Sequence, residues 1–339
     1  MINLFRRRVI RFLCLAGLAF GLLVACNAQK PSAEAPQLST QPLVVASSPW
    51  PGFAPHYVAL AKEFFQAEDI LVEDSYFQIA TDVNTALLAG RVDLAWTGVP
   101  DMVIMAEQDP SLRLIALSDY SNGADGILAR NVSQPQDLKG KQVAWEELPL
   151  QALLLRKYLE TGGLAEQDIT LLTMPAAEAA TAFASKQVDV AVTYEPWLST
   201  AAQEGQGEII FSSKNTNIIP VGLVAKESVI QQRKPEILAF LRAIDKGVQF
   251  VRQNPDEMAE ITAKKLGVTP EEVPALLETV RIFSMEENAT IVFNADDPLN
   301  VMDSIEFAAK TSQEIKLLTQ PVDAKTLYDD SLVKELQGS

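Results

Sequence analysis

The feature that most constrains the fold is a regular alternation of short apolar runs with segments of helical spacing. Residues 43–46 form an apolar run followed by Ser-Ser-Pro, the pattern of a buried strand ending in a turn. Residues 54–66 then repeat apolar side chains at helical spacing. The same alternation continues through residue 119. It predicts an α/β protein with mainly parallel sheets covered by helices on both faces.

The alternation restarts after Gly123 and returns to the first pattern near Pro220. Predicted strands and helices alternate from 126 to 211, and a mostly helical C-terminal region begins at Lys234. A restart followed by a return predicts two lobes joined by two crossings, with the second lobe inserted into the first. The predicted boundaries are 42–122 and 219–339 for the first lobe and 123–218 for the second.

The N-terminus has the pattern of an export signal. Four arginines between positions 6 and 11 precede an apolar stretch, residues 12–24, that is short for a membrane-spanning helix. Ala25 followed by Cys26 resembles the bacterial lipobox, in which cleavage precedes a cysteine that carries the lipid. The resemblance implies a signal peptide at 1–25, a lipid anchor such as palmitate on Cys26, and a location at the periplasmic face of a bacterial membrane. An ordinary cleaved signal and an uncut anchor are the alternatives.

Residues 26–41 are rich in Gln, Pro, Ser and Ala without a hydrophobic period, which predicts a flexible tether.

Composition excludes several classes of protein. The chain has 28 basic and 44 acidic residues. This acidic balance argues against nucleic-acid binding, which requires a basic face. After cleavage Cys26 would be the only cysteine, so no disulfide framework or cysteine-based metal site can form. His56 is the sole histidine. We predict no metal, no cofactor and no nucleic-acid partner.

Three short motifs occur in an order typical of a known family. They are Gly-Arg-Val-Asp-Leu-Ala at 90–95, Asp-Leu-Lys-Gly-Lys-Gln-Val at 137–143, and the segment 186–198 that contains Tyr-Glu-Pro-Trp. Together they resemble the periplasmic solute-binding proteins of ABC importers, in the group that binds nitrate, sulfonates, taurine and thiamine precursors. The resemblance extends from about Leu43 to Leu336. It implies a type II binding fold, acting as a monomer, whose lobes close over a small-molecule solute and dock on a permease driven by an ATPase.

Ligands of open α/β sheets lie beyond the carboxyl ends of the strands, so the loops there supply the candidate contacts. Glu146 and Glu147 are adjacent and would point in opposite directions on an extended chain, and we expect Glu147 to face the cleft. The candidate ligand residues are Ser48, Trp50, Trp96, Thr97, Asp119, Tyr120, Ser121, Glu147, Tyr194, Glu195 and Trp197.

Several of these candidates have a structural alternative. Glu195 precedes a predicted helix and could complement the helix dipole instead of a ligand. Trp96 and Trp197 could pack in the core. Asp119 and Tyr120 could belong to the hinge.

Aromatic and carboxylate side chains without Lys or Arg favour a small planar cation as the ligand. Cation–π contact contributes about 0.5–2 kcal/mol, and a hydrogen bond to a charged group about 1.5–3 kcal/mol. Residues 119–126 are similar to the branch of the family found beside urea- and guanidine-degrading enzymes, which implies guanidine. Aminopyrimidines are the nearest rival. Nitrate, sulfonate, taurine or bicarbonate is the alternative, although such anions are normally met by basic side chains.

An enzyme on the same fold is a remote alternative. The pyrimidine-precursor synthase of this type relies on a cysteine-rich motif and histidines, which the processed chain would lack. A lyase that uses Glu146 or Glu147 as a base is a second alternative, and a tethered sensor domain is a third. No P-loop, nucleophile elbow or zinc motif occurs. We therefore predict a binding protein rather than an enzyme.

Overall fold

The computed structural model describes residues 40–338. The predicted signal peptide at 1–25, Cys26 and nearly all of the predicted tether at 26–41 lie outside the described residues. Within the described part of the chain, no helix is both long enough and apolar enough to cross a membrane.

Eleven strands are described, and they form two separate sheets. The strands in chain order are β1 (Leu43–Ser47), β2 (Val72–Tyr76), β3 (Leu94–Gly98), β4 (Leu112–Ser121), β5 (Asp125–Ala129), β6 (Gln142–Trp145), β7 (Thr170–Thr173), β8 (Val190–Tyr194), β9 (Glu208–Ser212), β10 (Pro220–Lys226) and β11 (Val280–Ile282). The first sheet has the order β11-β4-β10-β3-β1-β2, and the second has the order β7-β6-β8-β5-β9.

Both sheets combine parallel and antiparallel pairs. β1 pairs in parallel with β2 and β3, and β6 pairs in parallel with β7 and β8. β5 and β10 are antiparallel to both of their neighbours. Each of these two is the first strand after the chain crosses to the other sheet. Because β5–β9 lie between β4 and β10 in the chain, the second lobe is inserted into the first, and the predicted fold class is confirmed. The exact lobe boundaries stay a prediction.

Helices cover both sheets. The main helices are α1 (Ala54–Ala61), α2 (Ala80–Leu88), α3 (Val99–Met105), α4 (Pro149–Thr161), α5 (Ala176–Ala184), α6 (Trp197–Gly205), α7 (Glu227–Gln232), α8 (Lys234–Gln253), α9 (Pro255–Leu266), α10 (Val273–Leu277), α11 (Val301–Glu314) and α12 (Ser331–Gln337). Shorter helical turns occur at Pro51–Phe53, Gln66–Glu68, Pro135–Leu138, Glu166–Asp168, Met285–Glu287, Asn288–Val292 and Ala324–Thr326.

The C-terminal region beyond Lys234, predicted to be mostly helical, also contributes a strand. The helix α10 ends at Leu277, and Val280 opens β11, which pairs with the end of β4. Val280 is buried there. Pairing with the sheet edge therefore overrides the local helical spacing, as tertiary contacts often do.

The first lobe depends on a close contact between α1 and α8. The long helix α8 buries Ile237, Phe240 and Ile244. Gly247 lies on the same helix, and a Cβ atom there would stand only 2.3 Å from the carbonyl oxygen of Pro55 on α1. Glycine is thus required for the two helix backbones to approach this closely.

We expect Gly247→Ala to lower the free energy of unfolding by about 1–3 kcal/mol, because overpacking against backbone cannot be relieved by a side-chain rotation. Urea denaturation measures the change. Gln249→Ala on the exposed side of α8 is the control and should be close to neutral. Equal stability of Gly247→Ala and wild type would contradict the close packing.

Candidate ligand-binding site

A small cavity of about 40 Å³ lies between the two sheets. The carboxyl ends of β1, β3 and β8 meet there with the amino ends of the antiparallel strands β5 and β10. The cavity therefore lies where the strand-end rule predicts a ligand site, with the two reversed strands β5 and β10 added. The cavity is lined by Ser48, Pro49, Trp50, Phe53, Ala80, Trp96, Thr97, Gly98, Asp101, Asp125, Leu148, Leu150, Tyr194, Ile219 and Val221.

Trp50 forms one wall and is held by a buried acid. Its Nε1–H donates to both carboxylate oxygens of Asp119, at 3.1 Å each. The Trp50 ring meets Tyr194 of the second lobe edge to face, with the centroids 6.0 Å apart. Gly52 leaves room for this arrangement, because a Cβ there would lie 1.9 Å from Asp119 Oδ2. Asp119 thus fixes the orientation of the Trp50 ring, which forms this wall of the cavity.

Trp96 and Thr97 lie at the tip of β3 and also line the cavity. The Trp96 ring also packs against Phe53 and Phe240, with centroids 5.6 and 6.3 Å away. It therefore belongs to both the cavity wall and the core. The Thr97 hydroxyl donates to Asn84 Oδ1 at 2.6 Å, which ties the strand tip to α2.

Two acids that the sequence analysis did not select, Asp101 and Asp125, line the cavity. Asp101 lies in the first turn of α3, and its Oδ1 accepts the Leu150 N–H at 3.4 Å. Asp125 is the first residue of β5, and its Oδ2 is buried without a hydrogen-bond partner among the described residues. Sequence analysis missed Asp101 because α3 was not predicted, although Pro100 is a helix-start signal.

Burial dominates the electrostatics of these acids. Desolvation raises the pKa of Asp119 to about 8, against hydrogen bonds from Trp50 and Ser118 that lower it. Desolvation also raises the pKa of Asp125 to about 7, and the pKa of Asp101 well above its usual range. No Lys, Arg or His is among the residues that line the described cavity. The carboxylate forms therefore lack a compensating positive charge.

Glu146, and not Glu147, is the inward-facing member of the acidic pair. Glu146 Oε1 accepts from the backbone N–H and the hydroxyl of Thr81, both at 3.1 Å, and Oε2 accepts from the Ala176 N–H at 3.2 Å. Glu147 is exposed. Strand alternation predicts that the two side chains diverge, and the structure reverses the choice of which one turns inward.

Glu195 is turned toward its own helix. Its carboxylate accepts from the backbone N–H of Ser199 at 3.2 Å and from the Ser199 hydroxyl, and it does not line the cavity. Tyr194 lines the cavity, and Trp197 packs behind the Tyr194 ring with the centroids 5.1 Å apart. Glu195 thus bonds the first turn of the helix that follows it, and Trp197 packs beside Tyr194. These positions correspond to the structural alternatives given above for the two residues.

Tyr120 and Ser121 lie outside the cavity. The Tyr120 hydroxyl is 3.1 Å from Ser304 Oγ inside the first lobe, and burial raises the pKa of Tyr120 to about 12. Ser121 Oγ lies 2.6 Å from Ser213 Oγ, which joins the outgoing and returning crossings. Ser48 does line the cavity, and its carbonyl accepts the Tyr57 hydroxyl at 2.7 Å. Within residues 40–338, no group of three or more His, Cys, Asp or Glu could hold a metal ion.

Three contacts around the cavity join the two lobes. Thr81 of α2 donates to Glu146, the Leu150 N–H of α4 donates to Asp101, and Trp50 meets Tyr194. We name the Thr81–Glu146 pair the latch. Its partners belong to different lobes, so the latch is a contact between the lobes.

Thr81→Val removes the hydroxyl of the latch, and we expect it to weaken ligand binding by about 0.5–1.5 kcal/mol, the usual net value of one hydrogen bond. Titration calorimetry and the radius of gyration from small-angle scattering measure the effect. Thr85→Val is the matched control on the same helix, because the Thr85 hydroxyl bonds only the Thr81 carbonyl in its own helix. Identical affinity and closure in Thr81→Val and Thr85→Val would argue against the latch.

Two α/β lobes that enclose a small cavity and are joined by two crossings define the class of two-lobe solute-binding folds. The chain belongs to the family described as NMT1/THI5 like, which matches residues 50–258. The periplasmic aliphatic sulphonate binding protein SsuA from Escherichia coli has the same fold, with a TM-score of 0.71 and 19% identity over 86% of this chain and 94% of SsuA.

Relatives in the family carry different ligand names. A protein of Bacillus subtilis (strain 168) named for binding aliphatic sulfonates is 24% identical over 93% of each chain. A formylaminopyrimidine-binding protein of Halalkalibacterium halodurans is 22% identical over 60% of this chain and 64% of its own. The desulfurization enzyme DSZB shares the fold as well, with a TM-score of 0.65 and 14% identity over 88% of this chain and 98% of the enzyme.

Proposed function

We propose that the protein is the substrate-binding subunit of an ABC importer and that it captures a small planar cation, such as guanidine or an aminopyrimidine, between its lobes. The observation that carries the proposal is the cavity lining, in which the ionisable acids are Asp101 and Asp125 and no basic side chain occurs. Asp119 and Glu146 stand directly behind this lining.

Desolvation of the buried acids supports a cationic ligand. An ionised carboxylate removed from water is costly unless an opposite charge or several hydrogen bonds compensate it. Asp125 Oδ2 has neither among the described residues. A cation with several N–H donors would supply both, and the Trp50 and Tyr194 rings beside it would add cation–π attraction. The cavity volume of about 40 Å³ favours guanidine over the larger aminopyrimidine.

Anion binding is the alternative that the sulfonate-binding relative favours. An anion in this cavity would meet buried acids, and it would be accepted only if those acids were protonated. The two ligand classes therefore predict opposite effects of pH on affinity.

The proposal includes the partners and location. The N-terminal arginines, apolar stretch and Cys26 support export and attachment to the periplasmic face of a bacterial membrane. We also propose a monomer that delivers its solute to a permease and an ATPase, as the resemblance to the solute-binding proteins of ABC importers implies. A binding role is favoured over a lyase, because Glu146, the inward-facing acid of its pair, already accepts three hydrogen bonds.

We expect the affinity for guanidinium to fall as pH decreases through the range of about 8 to 6. Asp125 in the cavity lining has a pKa raised to about 7, and Asp119 behind Trp50 has a pKa raised to about 8. A lower pH protonates both acids and removes the negative charge that attracts the cation. The loss should approach about tenfold per pH unit for each acid that must ionise. Titration calorimetry across this range measures it. An affinity that rises on acidification would indicate an anion.

A thermal-shift screen tests the ligand class directly. Guanidinium or a formylated aminopyrimidine should raise the melting temperature, because a ligand that binds only the folded state stabilises it. Nitrate, taurine, an alkanesulfonate and bicarbonate should not. A rise with the anions alone would overturn the cation proposal, and turnover of any bound compound would overturn the binding role.

A further inference from the structure

We propose that Asp101 and Asp125 determine ligand charge and shape by receiving two different N–H edges of one planar cation, one edge from each lobe. This inference rests on the proposed cation-binding function and names the residues that carry it. Neither residue was selected from the sequence, and both line the cavity.

Asp125 has the chemistry of an anchor. It is only 1% exposed, it follows directly on the first crossing, and its Oδ2 has no partner among the described residues. The groups facing it offer little compensation, because Ser121 donates one hydrogen bond while Glu195 adds negative charge. A buried, unpartnered carboxylate oxygen beside a cavity needs an explanation, and a ligand donor supplies one.

Asp101 faces the same cavity from the first lobe. Its contact with the Leu150 N–H is long, at 3.4 Å. No cation within residues 40–338 pairs with it, since its charged neighbours are Glu146 and Asp125. Its Oδ2 lies against the bare backbone of Gly98, where a Cβ would stand 2.5 Å away. Gly98 therefore leaves the space that this carboxylate occupies.

The placement of the two acids selects for shape as well as charge. A guanidinium or amidinium group presents pairs of parallel N–H donors on separate edges, and each edge matches one carboxylate. A simple ammonium ion concentrates its charge at one point and cannot offer an edge to each lobe. Since Asp101 belongs to α3 of the first lobe and Asp125 to β5 of the second, a two-edged cation would bridge the lobes as it binds.

Titration calorimetry with guanidinium chloride, at concentrations far below those that denature, tests the inference in Asp101→Asn and Asp125→Asn. We expect each variant to bind guanidinium about 10- to 100-fold more weakly than wild type. Methylammonium should bind wild type more weakly than guanidinium and lose less in either variant. Asp296→Asn, which removes the same charge from an exposed loop residue, is the control and should bind as wild type does.

Stability separates a binding role from a structural one. Without ligand at neutral pH, Asp125→Asn should melt at the same or a higher temperature than wild type, because the substitution removes a buried carboxylate that has no cationic partner. Gly98→Ala keeps the charge of Asp101, but its methyl group would crowd both Asp101 Oδ2, at 2.5 Å, and Leu150 Cδ2, at 2.8 Å, and it should also weaken guanidinium binding.

Two results would overturn the inference while leaving the proposed function intact. One is wild-type affinity for guanidinium in both aspartate variants. The other is a loss confined to Glu195→Gln, which would move the anchor to Glu195. A wild-type protein that binds nitrate and no cation would overturn the proposed function itself, so the two failures are distinguishable.

Discussion

The arrangement of the site depends on the cost of burying carboxylates between two lobes. Asp101, Asp119, Asp125 and Glu146 are each at most 3% exposed, and the ion pairs found in the described residues lie elsewhere. Burial of an unpaired charge costs several kcal/mol even after relaxation. Such a group of acids is kept only where something offsets that cost. Hydrogen bonds offset the cost of burying Asp119 and Glu146. In the proposed function, a donor group of the ligand offsets the cost of burying Asp125.

The two chain crossings explain how the acids come together. The carboxyl ends of β1, β3 and β8 supply aromatic rings and small polar residues, as the usual rule for α/β sheets predicts. β5 and β10 run the other way, so their first residues point to the same gap. Asp125 is the first residue of β5, the strand that follows the first crossing, and it therefore lies at the cavity.

The sequence analysis predicts the fold far better than the detailed site. Alternating strands and helices identify the lobes, and the strand-end rule brings Ser48, Trp50, Trp96, Thr97 and Tyr194 to the cavity lining. The alternation of side chains along a strand predicts that Glu146 and Glu147 point in opposite directions. It does not indicate which of the two faces inward. The strand-end rule misses Asp125, because this residue lies at the amino end of β5. Glu195 is drawn to Ser199 by a local hydrogen bond that no periodicity reveals.

The balance between the lobes' contacts and their buried charge explains why closure would require a ligand. The hydrogen bonds from Thr81 to Glu146 and from Leu150 to Asp101, and the edge-to-face contact of Trp50 with Tyr194, each contribute about 0.5–1.5 kcal/mol. The Leu150 hydrogen bond is long. Burying two unpaired carboxylates costs more than that. In the proposed mechanism the closed form is therefore disfavoured when the cleft holds only water. A cation that neutralises both acids reverses the balance, so ligand charge rather than contact area determines which form the permease meets.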